Sequence, residues 1–190
     1  IMNMSRFSKL IICVAAMAAA VSCGNKARID GTISEAPSSE VIVKLLNFNQ
    51  YQILDTVKTD ASGRFSYKAE IEKGQPEFIY VFYKDTKVAS LLLEAGDKVN
   101  VTADTLGTFT VEGSEESAKL AEVEKAYADA LLKFSNLSAQ AVEAEGKDAE
   151  ALRRQLAQEY VTYYRTCVKY VMKNSKSLTV VPVLYQNLGT

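Results

Sequence analysis

The chain has 190 residues, 48% hydrophobic and 24% charged, with a formal net charge of −1. That length suits one domain with or without an appendage, and the near-neutral balance gives no electrostatic footprint for nucleic acid. There is no histidine, which removes the commonest general acid/base and the commonest metal ligand, and no tryptophan.

The N-terminus reads IMNMSRFSKLIICVAAMAAAVSCGNK. Arg6 and Lys9 precede twelve apolar or small residues, Leu10 to Val21. A spanning helix needs roughly 20 such residues, so this run reads as the core of a signal peptide. It ends in Ala20-Val21-Ser22-Cys23, which resembles a bacterial lipobox. The expectation is a lipoprotein signal peptide over residues 1–22, cleavage before Cys23 and lipidation of its thiol. A lipid-anchored tether follows over residues 23–28. The anchor makes the membrane a partner. Residues Gly24 to Arg28 carry neither an aspartate after the cysteine nor an acidic cluster, which points to the periplasmic face of the outer membrane in the cell envelope. Cys13 would leave with the signal, and no two cysteines form a C-x-x-C pair.

Residues 29–113 have a period near two with frequent turn signals. The predicted strands are RIDGTIS, EVIVKLLNF, QILDTVKT, GRFSYKAEI, EFIYVFYK, VASLLLEA, KVNVTAD and TFTVEG. Eight short strands at this spacing predict an antiparallel β-sandwich. In TDASGRF, Asp60 suits an Asx-turn and Gly63 a positive φ; Gly74 and Gly96 serve the next turns. The same stretch has too few oxygen-bearing side chains for a calcium loop. The run Tyr80 to Tyr83 is apolar on both faces and predicts a central strand covered on both sides.

From Ser114 the period changes. Ser114 is the expected N-cap of a helix with Glu115 and Glu116 in its first turn. Leu120, Val123, Tyr127, Leu131, Phe134 and Leu137 form one apolar stripe. Gly146 breaks the pattern, and Asp148 is the expected cap of a second helix carrying Leu152, Leu156, Tyr160, Tyr163, Cys167 and Tyr170. Residues 114–190 thus read as a helical hairpin and the start of a third helix, with Pro182 in its first turn. The fold class is α+β. Cys167 reads as a buried structural thiol. Tyr160, Tyr163, Tyr164 and Tyr170 are expected to pack against the sandwich, with a ligand-binding tyrosine face as the alternative.

The ordered pieces Asp55-Thr56, Thr59-Asp60, Gly63-Arg64-Phe65, Gly96-Asp97 and Gly113-Ser114, behind a lipobox, resemble the N-terminal domain of unknown function of Bacteroidetes lipoproteins. That domain precedes a thioredoxin-like domain of the TlpA/ResA type. The resemblance covers about Ile29 to Leu188. It implies an envelope lipoprotein tied to thiol–disulfide exchange, with the chemistry in a downstream domain carrying W-C-x-x-C. No residue of this chain matches that motif, so no catalytic residue is carried over, and no cofactor or metal is expected. The resemblance implies that this region is a spacer, a homodimerisation surface or a docking platform for a redox partner or its own downstream domain. The short third helix suggests that the native chain continues. The rival reading is a self-sufficient lipoprotein binding a peptide or glycan, which a pocket lined by Tyr160, Tyr163 and Tyr164 would favour. Thr56 and Thr105, in Asp55-Thr56-Val57 and Asp104-Thr105-Leu106, match a short O-glycosylation pattern of Bacteroides envelope proteins.

Overall fold

The computed structural model describes residues 25–47 and 50–187. The signal peptide, the lipobox and Cys23 lie outside the described residues. All eight expected strands form: β1 (Lys26–Ile33), β2 (Glu40–Asn47), β3 (Gln50–Lys58), β4 (Arg64–Glu70), β5 (Glu77–Tyr83), β6 (Thr86–Leu93), β7 (Lys98–Ala103) and β8 (Phe109–Glu112). They are followed by α1 (Glu115–Glu143), α2 (Gly146–Lys173) and α3 (Val180–Asn187).

The strands build two four-stranded sheets, ordered β4-β1-β7-β8 and β3-β2-β5-β6. The sandwich is therefore as expected, with one departure from all-antiparallel pairing. β1 and β7 run parallel, Ile29 opposite Val99 and Gly31 opposite Val101. The chain leaves the first sheet after β4, makes the β5–β6 hairpin in the second, and re-enters beside β1 in the same direction. A parallel pair needs a crossover of a dozen or more residues, and β2 to β6 supply it.

Alternation sets the core. On β4, Phe65 and Ala69 point inward between exposed Arg64, Ser66, Lys68 and Glu70. Val41, Val43, Ile79, Val81 and Leu91 meet them from the other sheet. β5 lies between β2 and β6 and is covered on both faces, as its sequence predicts. Ile79 and Val81 join the sandwich core, whereas Tyr80 and Phe82 point outward and meet the ring of Tyr51 edge-on, each at 5.3 Å.

The turns follow from side-chain chemistry. Asp60 Oδ1 accepts the amides of Ser62 (2.7 Å) and Arg64 (3.0 Å), the Asx arrangement expected there. Asp104 Oδ1 does the same for Leu106 and Thr108, both at 2.9 Å. These backbone donors hold both carboxyls below their ordinary value. Gly63 has φ of +77°, and a Cβ there would stand 2.2 Å from the carbonyl oxygen of Ile33.

β6 ends the second sheet, and an exposed edge strand invites pairing with other chains. Here α1 covers it. Ser114 caps the helix as expected, accepting the Ser117 amide at 3.2 Å. One turn on, the buried Ser117 hydroxyl accepts the Leu92 amide (3.1 Å) and donates to the Leu92 carbonyl (2.9 Å). Further along, Glu124 Oε2 accepts from Ser90 (2.6 Å) and pairs with Lys87 (2.7 Å). The other end of the hairpin corrects one expectation. Asp148 is not the cap of α2; it sits inside the first turn. The chain breaks at Ala144 and Glu145, both extended, and Glu145 occupies the cap position without a side-chain bond.

Candidate functional site

The site is an aromatic groove on the helical hairpin, beyond the sandwich. It exists because α1 outruns the strand that holds it. Past Glu124, the last clamp on β6, α1 continues for 19 residues to Glu143, about 29 Å at 1.5 Å per residue. Its apolar stripe has no sheet to meet there, so α2 supplies the partner. Phe134 stacks on Tyr160 with ring centroids 3.9 Å apart and meets Tyr163 edge-on at 6.0 Å. Lys133 and Glu159 pair across the two helices at 2.7 Å.

Two helices cannot bury aromatic rings on all sides. Phe134 is buried, but Tyr160 and Tyr164 remain 47% and 56% exposed. Leu131, on the expected stripe, is also 47% exposed. Together with Tyr127, Tyr163 and the end of α3 they line a groove of about 530 Å³, with Arg165 and Gln186 at its polar margin. The expectation that these tyrosines pack against the sandwich is thereby overturned. Tyr160 and Tyr163 pack on α1, because α2 docks against α1 and α3.

α3 closes the end of the hairpin nearest the sandwich. Pro182 lies in its first turn, where a missing amide costs nothing. Val183 packs with Val123 and Cys167. The Ser177 hydroxyl donates to Glu116 and Tyr170 bonds Thr179 at 2.7 Å. Burial pushes the Glu116 carboxyl up, but the Ser177 hydroxyl and Lys119 outweigh it and leave the group below its ordinary value. Cys167 is 8% exposed and beside Tyr163, the buried thiol expected from its place on the stripe. Burial foremost, with the adjacent Cys167, raises the Tyr163 phenol.

The remaining expected positions do not join this groove. Thr56 lies exposed on β3 and Thr105 half-buried in the turn after β7. Asp55 on β3 and Asp104 after β7, which precede these threonines, stand apart from the groove as well. Among the described residues no three metal-binding side chains gather. No helix among them is long and apolar enough to cross a membrane. Sequence reading missed Ser117, Glu124 and Arg165. For Ser117, a small polar residue on the apolar side of the first turn was the available signal. For Arg165, it was the absence of any acidic residue after Glu159.

Residues 27–120 match the family model described as "Domain of unknown function (DUF4369)". The match runs through Leu120 and so includes the Ser117 clip. No curated protein matches the chain. Among solved structures, a "putative cell adhesion protein" from Bacteroides ovatus is similar, at 11% identity and a TM-score of 0.29. The likeness covers 48% of this chain and 44% of that one.

Proposed function

We propose that this protein is a lipid-anchored envelope lipoprotein whose described residues form a non-catalytic docking module. The half-exposed aromatic groove of the projecting hairpin carries the docking part of this reading. Apolar rings held open to water by two packed helices are what a binding surface requires, and they cost solubility otherwise. The anchoring part is supported by the signal core and the lipobox ending at Cys23. Several acyl chains would hold the protein stably, at about 0.8 kcal/mol per buried CH2. Incorporation of labelled fatty acid into the chain tests it. Cys23→Ala should abolish the label; unchanged labelling overturns the anchor.

The ordered motifs shared with the thioredoxin-associated lipoprotein domain support a second element. In this reading the module serves a thiol–disulfide oxidoreductase as its accessory region, and the catalytic W-C-x-x-C belongs to a thioredoxin-like domain downstream. Reading the gene beyond the codon for Thr190 tests it. A frame continuing into W-C-x-x-C supports the accessory role. A stop codon, or a continuation lacking the motif, leaves the alternative of a self-sufficient peptide- or glycan-binding lipoprotein.

A further inference from the structure

The groove has a charge as well as a shape. From Tyr160 onward the chain has four basic residues, Arg165, Lys169, Lys173 and Lys176, and no acidic one. None of the four takes part in an ion pair among the described residues. Other cations of the hairpin do face carboxylates, among them Lys133 with Glu159, Lys119 with Glu115 and Glu116, and Lys125 with Asp129. Arg165 stands at the groove itself, sharing its margin with Val161 and Tyr164. An unpaired guanidinium beside exposed rings favours an anionic, partly apolar occupant.

Two kinds of occupant have that chemistry: an anionic bilayer and an acidic polypeptide. The direction of the hairpin decides between them. Three residues of chain link Cys23 to Lys26, about 11 Å at full extension. An anchor at Cys23 therefore holds the start of β1 at the membrane surface. The same end of the sandwich carries the end of β4, where Ile71 donates to the Asn25 carbonyl at 2.9 Å. It also carries the β6–β7 turn, where Gly96 donates to the Lys26 carbonyl at 3.0 Å. α1 starts at this end, beside Lys98, and runs along β6 from Leu92 to Lys87 before projecting past the opposite end. With an anchor at Cys23, the groove thus lies at the end of the sandwich opposite the bilayer.

We infer that the groove binds an acidic polypeptide segment of a soluble partner, its apolar side chains lying on Tyr160 and Tyr164 and a carboxylate pairing with Arg165. This rests on the lipid-anchored docking reading above and names the partner's chemistry.

Binding is read by fluorescence anisotropy, with the lipidated full chain in detergent micelles. The probes are a labelled peptide of Glu, Leu and Phe and its counterpart with Lys in place of Glu. The acidic peptide should bind. Tyr164→Ala and Arg165→Glu should each weaken it about tenfold, and Arg165→Glu should bring the basic peptide up toward it. Equal binding of both peptides, or of neither, overturns the inference. A shift to dimers that Arg165→Glu abolishes, with no peptide binding, assigns the groove to a second copy and overturns it too. Direction is read separately in vesicles carrying an acceptor lipid. A fluorophore on Lys73→Cys, in the turn after β4, should be quenched strongly, and one on Lys147→Cys, at the hairpin tip, weakly. The opposite order overturns the orientation. Loss of quenching at both positions signals instead that the anchor itself has failed.

Discussion

The Ser117 hydroxyl occupies both hydrogen-bonding positions that Leu92 turns toward the open edge of its sheet, accepting its amide and donating to its carbonyl. Ser117 is fully buried. One side chain thereby ends the sheet and fixes the root of α1. Ser117→Ala leaves the buried Leu92 amide without a partner and its carbonyl with only the longer bond from the Ser114 hydroxyl (3.4 Å), a loss of about 1–3 kcal/mol. Urea unfolding should show a lower midpoint with an unchanged slope, whereas Ser138→Ala, on the exposed part of α1, should leave the midpoint where it was.

Glu116 gives the base of the hairpin a pH dependence. Its carboxyl is depressed in the folded protein, with burial opposing and the Ser177 hydroxyl and Lys119 prevailing. A depressed carboxyl adds stability above the unfolded value of about 4.3, and that contribution fades as pH falls through the lower folded value. Melting curves of the protein and of Glu116→Gln should be well separated at neutral pH and converge as the pH falls below the ordinary carboxylate range. A gap that stays constant on acidification would exclude Glu116 as the titrating group.

Gly113 joins β8 to α1 with φ of +94°, and a Cβ there would lie 2.1 Å from the Lys98 carbonyl oxygen. Both the backbone conformation and the contact oppose any side chain. Gly113→Ala should cost about 1–3 kcal/mol or more, and Gly74→Ala, where no atom lies within 4 Å, should cost less despite its positive φ. Thermal melting of the two variants checks the order.

Cys167 is packed with Val123 and Val183 and leaves little surface for a reagent. A thiol-specific label should react slowly in the native protein and at the rate of an ordinary thiol in denaturant. Fast native labelling would mean that α3 opens from the hairpin. Val183→Ala, which thins the cover over Cys167, should accelerate the reaction.

The strands were legible because alternation and turn chemistry agree along the chain. Asp60 with Gly63, and Asp97 with Gly96, mark turns through bonds made within a few residues, so neighbours in sequence suffice to read them. These are also the pieces that carry the family resemblance, which accordingly reports on the sandwich's turns and leaves the groove unread. The parallel β1–β7 pair was not legible, since alternation is the same in either direction. The same kind of reason makes the tyrosines of α2 look, from sequence, like residues packed on the sandwich. Helical spacing places Tyr160 and Tyr163 on one face, but what that face meets depends on where α1 leaves β6. That point is set by Glu124 meeting Lys87 and Ser90, contacts 37 and 34 residues apart in sequence.

The hairpin is a cantilever. Its root is held by Ser117 and Glu124 within seven residues, and its free arm is about 29 Å long. A tilt of about 10° at the root would sweep the tip through about 5 Å. A load applied at the groove, whose α1 residues Tyr127 to Phe134 lie about 5–15 Å past Glu124, would act through a shorter arm on the same two polar clamps. The edge of the second sheet is then where tension on a bound partner would first be felt.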